Sequence, residues 1–175
     1  MYEKFWKRFF DFFLSLLALI FLSPVLLVLT VLGWIKMKGN PFFTQLRPGK
    51  DEKIFKLIKF RSMTCEKDKD GNLLPDEQRL TKYGKLLRST SLDELPELIN
   101  ILKGDMSIIG PRPRMVEECV FLDETQMDRF KVRPGITGWA QVNGRNSITF
   151  DKVVRLDKEY VQKQSIFQPS PGKMP

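Results

Sequence analysis

Two adjacent carboxylates, Asp93 and Glu94, open a predicted helix in the stretch STSLDELPELINIL, and Arg88 stands shortly before them. Residues 79 to 90 carry Arg79, Lys82, Lys85 and Arg88 and no acid, whereas residues 91 to 105 carry Asp93, Glu94, Glu97 and Asp105 against Lys103 alone. An acidic island beside cations is what a magnesium-phosphate site requires, because carboxylates hold the metal while Lys and Arg hold phosphate oxygens. The same residues also read as a helix cap: Ser91 and Glu94 have capping-box spacing, and acids are favoured in a first helical turn. The roles are compatible, since a helix start that favours an ionised carboxylate also favours a carboxylate nucleophile. Pro96 fits a position near that start.

Two further cationic features accompany the pair. In GPRPR, prolines fix the backbone on either side of Arg112, so its guanidinium is presented with little ordering cost; a rigid surface turn with a solvated arginine is the alternative. In KFRSM, Lys59 and Arg61 stand two apart and share one face of a strand, which is also how a wet face reads.

Composition narrows the chemistry. The chain has no histidine, which removes Ser/His and Cys/His catalysis and makes a zinc enzyme improbable. Acid–base work falls to carboxylates, lysine or tyrosine. Two well-separated cysteines, Cys65 and Cys119, argue against a disulfide framework and for a reducing compartment. A net charge of +8 points to an anionic partner: nucleic acid, a phosphorylated metabolite or an acidic lipid surface. No nucleic-acid motif is present and the aromatics gather in an apolar segment, so nucleic acid is not the expected partner. At 175 residues the chain can bury one modest core.

These side chains need a scaffold, and its first part is a membrane segment. Phe12 to Ile35 is a run of 24 residues without formal charge, longer than the ~20 needed to cross a bilayer. It is too long for a signal-peptide core and lacks a small-residue cleavage site. Pro24 halves it, deprives the Ile20 carbonyl of its helical donor and predicts a kink or break; Ser23 is expected to bond back to the Leu19 carbonyl. Either a kinked helix crosses, or the helix enters and returns to the same face. Lys4, Lys7 and Arg8 before the run, and eight basic residues against two acidic ones over 36 to 61, make both ends cytoplasmic in character and favour re-entry.

The expected fold class is α/β, mostly helical: a small globular domain with a β-hairpin and short strands, anchored by an N-terminal re-entrant membrane helix. Residues 1–36 form that helix, broken at Ser23-Pro24; residues 37–163 form a cytoplasmic-face catalytic domain, and 164–175 a tail. PFFTQLRPGKDEKIFKLIKFRSM predicts a hairpin turning at Arg47 to Lys50, and residues 64–78 a surface loop. Helices are predicted over 80–87 and 92–102, through RMVEECVFLDETQMDRF, and as an amphipathic helix in TFDKVVRLDKEYVQKQ. VRPGITGWAQVNGRN predicts turns and short strands around Asn143-Gly144.

Together, Ser23-Pro24 in the apolar run, KFRSM, LRSTSLDELPELINILKGDMS, GPRPR and RPGITGWAQVNGRN resemble the monotopic bacterial polyprenyl-phosphate phosphoglycosyl transferases. The likeness covers about residues 5 to 163 and is similar to the minimal members of the group, among them the enzyme that initiates bacterial N-linked glycosylation. The resemblance implies transfer of a phosphosugar from a UDP-sugar to a polyprenyl phosphate such as undecaprenyl phosphate, with Mg²⁺, giving polyprenyl diphosphate sugar and UMP. It implies Asp93 as nucleophile and metal ligand, forming an aspartyl phosphosugar, and Glu94 as its partner acid. Lys59, Arg61, Arg88, Arg112 and Arg145 would bind substrate, as would Asp157, for which a solvated helix surface is the alternative. The implied location is the cytoplasmic face of the bacterial inner membrane, where downstream glycosyl transferases meet the product. A non-catalytic membrane adaptor and a tethered nucleic-acid binder remain as alternatives; a conventional glycosyl transferase would release UDP instead of UMP.

Overall fold

The computed structural model describes residues 5–119, 123, 126–144 and 147–163. The long apolar run is helix α1, Lys7–Met37, closed by Lys38 in the left-handed region, whose N–H reaches the Trp34 carbonyl. Among the described residues it is the one helix long and apolar enough to cross a membrane. The helix is assigned without interruption through Ser23 and Pro24, so the expected break is not a gap in helical structure. Ser23 Oγ donates to the Ile20 carbonyl at 2.7 Å, not to Leu19 as expected. Ile20 is the residue whose carbonyl Pro24 leaves without a donor, so the hydroxyl replaces the missing backbone bond directly.

One stripe of α1 meets the rest of the protein along its whole length. Asp11 and Ser15 are buried near one end, and Leu29, Gly33 and Met37 near the other. Ala18, Leu19 and Leu22 pack on a core of Phe55, Leu57, Leu98, Ile101 and Met106, whereas Leu26 and Leu29 join Phe60 and Leu87 in a second cluster. The spacing of these contacts at three and four residues is the helical period. The opposite face exposes large apolar side chains, Phe21, Leu27, Val28 and Trp34 among them.

Polar contacts fasten the N-terminal end of α1. Asp11 accepts from the Ile108 N–H at 3.0 Å and pairs with Lys7 at 3.3 Å. Lys7 also bonds Ser107, and the Arg8 guanidinium donates to the Ile101 and Leu102 carbonyls. Those two carbonyls end helix α4, Glu97–Lys103, so Arg8 satisfies groups that a helix C-terminus leaves open.

The expected hairpin is present: β1, Phe42–Pro48, pairs antiparallel with β2, Ile54–Phe60. The segment expected as a loop over 64–78 ends instead in a single helical turn, α2, Asp76–Arg79. Helix α3 runs Lys82–Thr90, and Thr81 Oγ1 caps it by accepting from the Gly84 N–H at 2.9 Å. At Gly84 an added Cβ would lie 1.8 Å from the Ser62 carbonyl oxygen, so only glycine lets α3 approach the end of the hairpin this closely. The expected helix over 92–102 is a 3-10 turn, Leu92–Glu94, followed by α4. Buried Asn100 in α4 accepts from the Ile58 N–H at 3.0 Å and donates to the Lys56 carbonyl at 2.8 Å. It thereby acts as a one-residue partner for β2 and fixes that strand against α4. Leu87 and Ile101 are fully buried, each contributing about 1.5–3 kcal/mol of transfer free energy.

Beyond α4, β3, Ser107–Ile109, pairs in parallel with β4, Gly135–Thr137, so the described residues form two separate two-stranded sheets. The single helix expected between them is a short α5, Val116–Cys119, and a later 3-10 turn, Met127–Lys131, with non-helical backbone at Asp123. The stretch expected to hold turns and short strands contains, besides β4, helix α6, Trp139–Val142. The amphipathic helix is α7, Phe150–Lys163. Arg145 and the tail over 164–175 lie outside the described residues.

Candidate active site

Leu92 and Leu95 pack against the cluster of Leu29, Phe60 and Leu87, which orients the 3-10 turn between them. The turn's Asp93 and Glu94 therefore line an open cleft of about 1100 Å³. Lys59, Arg61, Arg88, Arg112 and Asp157 line the same cleft, so every sequence-predicted substrate or catalytic residue within the described part converges on one place. The expected capping box does not form. Ser91 is left-handed (φ 57) and caps nothing with its side chain, because α4 starts only after Pro96 and leaves Asp93 and Glu94 in a turn of their own.

Glu94 is the hub of an ionic chain. Lys59 Nζ lies 2.9 Å from Glu94 Oε1 and 3.0 Å from Glu97 Oε1, and Arg112 also bonds Glu94. Burial raises the Glu94 carboxyl, but the Arg112 hydrogen bond and the charges of Arg112 and Lys59 outweigh it and leave the group below its ordinary value. Asp93 differs. Among the described residues it makes no ion pair, and burial pushes its carboxyl up, opposed by Lys59 and Arg88. Arg88 itself is held by Nε donating to Ser62 Oγ at 2.9 Å. The cluster thus presents one carboxylate without a bonded cation beside an arginine and a neutralised acid–base chain.

Two members of the site escaped the sequence reading. Glu97 is only 2% exposed; the sequence placed it in the acidic island but gave it no role of its own. Its carboxyl is pushed up to about 7, by burial first and by neighbouring Glu94, against the attraction of Lys59. Because that value exceeds the ordinary 4.5, the folded state holds the proton more tightly than the unfolded chain. The resulting stabilisation is complete below about pH 4.5 and is lost as pH rises through about 7, a difference worth about 3 kcal/mol. Glu97→Gln should flatten this dependence: the thermal midpoint of the native protein falls between about pH 5 and about pH 8, and that of the variant falls much less. Equal slopes for the two proteins would refute the assignment.

Arg129 is the second. It is buried, pairs with Asp157 Oδ2 at 3.3 Å, and donates to the backbone carbonyl of Arg112. Asp157 is 3% exposed and therefore not on a solvated helix face. It lies at the far end of a relay from α7 through Arg129 to the Arg112 backbone and on to Glu94. The only cue in the sequence was that an acid recurs on the apolar side of α7.

A magnesium ion would find one open carboxylate here. Among the described residues no group of three or more acidic, cysteine or histidine side chains could hold a metal. Magnesium does not require one, since it is commonly bound through one or two carboxylates together with substrate phosphates. Asp93 fits that pattern, whereas Glu94 is occupied by Lys59 and Arg112.

Residues 2–169 match the bacterial sugar transferase family. The chain is 48% identical over 161 residues to EpsL of Bacillus subtilis (strain 168), an uncharacterized sugar transferase, covering 92% of this chain and 80% of that protein. It is 44% identical over 171 residues to the UDP-glucose:undecaprenyl-phosphate glucose-1-phosphate transferase of Escherichia coli (strain K12), covering 92% of this chain but 37% of that protein. To the galactosyl transferase CpsE of Streptococcus agalactiae serotype III (strain NEM316) it is 41% identical over 176 residues, covering 92% of this chain and 39% of that protein. The chain thus spans well under half the length of the latter two relatives. The resemblance to phosphoglycosyl transferases in the catalytic motifs and the match along nearly the whole chain agree: this protein is an enzyme of the bacterial sugar transferase family.

Proposed function

We propose that the chain transfers a sugar phosphate from a UDP-sugar to a polyprenyl phosphate through an aspartyl phosphosugar on Asp93, with UMP as the first product. The observation that carries this reading is Asp93 itself: a carboxylate with no bonded cation, in a cleft where Arg88 flanks it and Lys59, Glu94 and Arg112 form a fixed neighbouring cluster. The names of the relatives supply the donor and acceptor classes.

In the first step an Asp93 carboxylate oxygen forms a bond to the sugar-bearing phosphorus, and the bond from that phosphorus to the bridging oxygen breaks, so UMP leaves with the electron pair. In the second, an oxygen of the acceptor phosphate attacks the same phosphorus and the carboxylate leaves. Neither step needs a proton, which suits a site without histidine. Magnesium, when bound, would neutralise diphosphate charge. Arg88 lies on the side of Asp93, while Arg112 is kept in place by Glu94 and by Arg129 at its carbonyl. Incubation with labelled UDP-sugar and no acceptor tests the scheme: a burst of UMP equal to the enzyme present, with label retained on denatured protein, is expected. UDP as product, or turnover that strictly requires both substrates together, would overturn it.

The enzyme's place is the cytoplasmic face of the bacterial inner membrane, with α1 re-entrant. A helix crossing a ~30 Å core as a rod would hold its middle far from any domain on one side. The continuous stripe from Asp11 to Met37 against the catalytic domain supports the opposite arrangement, both ends on one face with the apolar flank toward lipid. Cysteines replacing Trp6 and Lys38 should both resist an impermeant thiol reagent in intact cells and react after permeabilisation. Labelling of either from outside would exclude re-entry.

A further inference from the structure

We propose that Arg61 receives the phosphate of the lipid acceptor, dividing the cleft into a donor side at Arg88 and an acceptor side at Arg61. The inference rests on the two-step transfer above, which needs a second phosphate to enter after UMP has gone, while its hydrocarbon chain stays in the membrane. The receiving cation must line the cleft, be free of other duties and stand beside the membrane helix.

Among the described cations that line the cleft, elimination singles out one residue. Lys59 is shared by two carboxylates, and Arg112 is bonded to Glu94. Arg79 donates to the Leu74 and Thr64 carbonyls and pairs with Asp76. Arg47 donates to the Pro113 carbonyl and to Gln45. Arg88 is fixed by Ser62 and its charge is felt at Asp93. Arg61 has one long bond, Nη2 to the Phe42 carbonyl at 3.4 Å, and no acidic partner among the described residues.

Its backbone stands where the requirement demands. The Arg61 N–H donates to the Pro41 carbonyl at 2.7 Å, closing the open end of the hairpin where the chain arrives from α1. Next to it the Phe42 and Phe60 rings stack at 5.3 Å and pack on Leu26 and Leu29 of α1. Phe43 and Met63 give the cleft an accessible apolar wall, a surface suited to the first isoprene units. A phosphate there meets a guanidinium not yet neutralised, in a partly apolar setting where charge-assisted bonds are strong.

Arg61→Gln and Arg61→Lys test this, with undecaprenyl phosphate in detergent micelles as the probe. For Arg61→Gln we expect an acceptor KM raised about 10- to 100-fold, as for loss of a charged hydrogen-bond pair, with the donor KM and the acceptor-free UMP burst unchanged. Arg61→Lys should fall between. An unchanged acceptor KM, or a diminished UMP burst, would overturn the assignment. Absence of a burst in the native enzyme would refute the two-step scheme alone, since the ratio of acceptor to donor KM in steady state still reads where Arg61 acts.

Discussion

Asp93→Asn is expected to lower UMP release by at least about 10⁴-fold, the scale on which enzymes respond to losing a nucleophile, while the protein stays folded. The amide keeps the shape of the side chain but cannot form the acyl phosphate. Burial already disfavours the charged carboxylate, so a neutral amide relieves a desolvation cost, and the thermal midpoint should stay level or rise. Activity and stability thus move apart, which a general folding defect cannot produce. No phosphosugar should remain on the denatured variant. Retention of more than about a tenth of native activity would remove Asp93 from the nucleophile's role.

The buried pair on the far side of the site should respond in the opposite manner. Asp157→Ala leaves the Arg129 charge, 6% exposed, without its counter-ion, at an expected cost of about 3–5 kcal/mol. The double variant Arg129→Met, Asp157→Leu removes both charges and should regain most of that stability, because apolar replacement of a buried pair is often close to neutral. Its rate should nonetheless fall, since Met at position 129 removes the donor that holds the Arg112 carbonyl. Thermal unfolding in detergent and UMP release, measured on both variants, separate the two effects. Full activity in the double variant would make the pair a matter of folding alone.

Features with a local signal were legible in the sequence. Period and length gave α7, β-prone stretches on either side of a Pro-Gly turn gave the hairpin, and a long uncharged apolar run gave α1, though not its continuity through Ser23-Pro24. The acidic pair of the candidate site was legible as an unusual succession of charge, and the resemblance implied its roles. What failed was what depends on distant partners. β3 and β4 are three residues each, too short to carry a period, and pair only because Gly110 and Gly135 let the two backbones touch: an added Cβ on Gly135 would sit 2.1 Å from the Gly110 nitrogen. Glu97 carried no individual role and Arg129 none at all, because their burial is conferred by β2 and α7 from elsewhere in the chain. The supposed capping box matched its spacing but lacked a helix beginning at the right residue.

Arg8 grips the last carbonyls of α4, and Glu97 at the first position of the same helix holds Lys59. Seven residues, about 10 Å, are therefore a short strut between α1 and the candidate site. The other half of α1 is fastened to the hairpin as well, so both halves of the helix are packed on elements that carry the cleft. In the membrane arrangement proposed above, a thicker or thinner bilayer would raise or lower the entire enzyme like a float, leaving the alignment of the cleft residues intact.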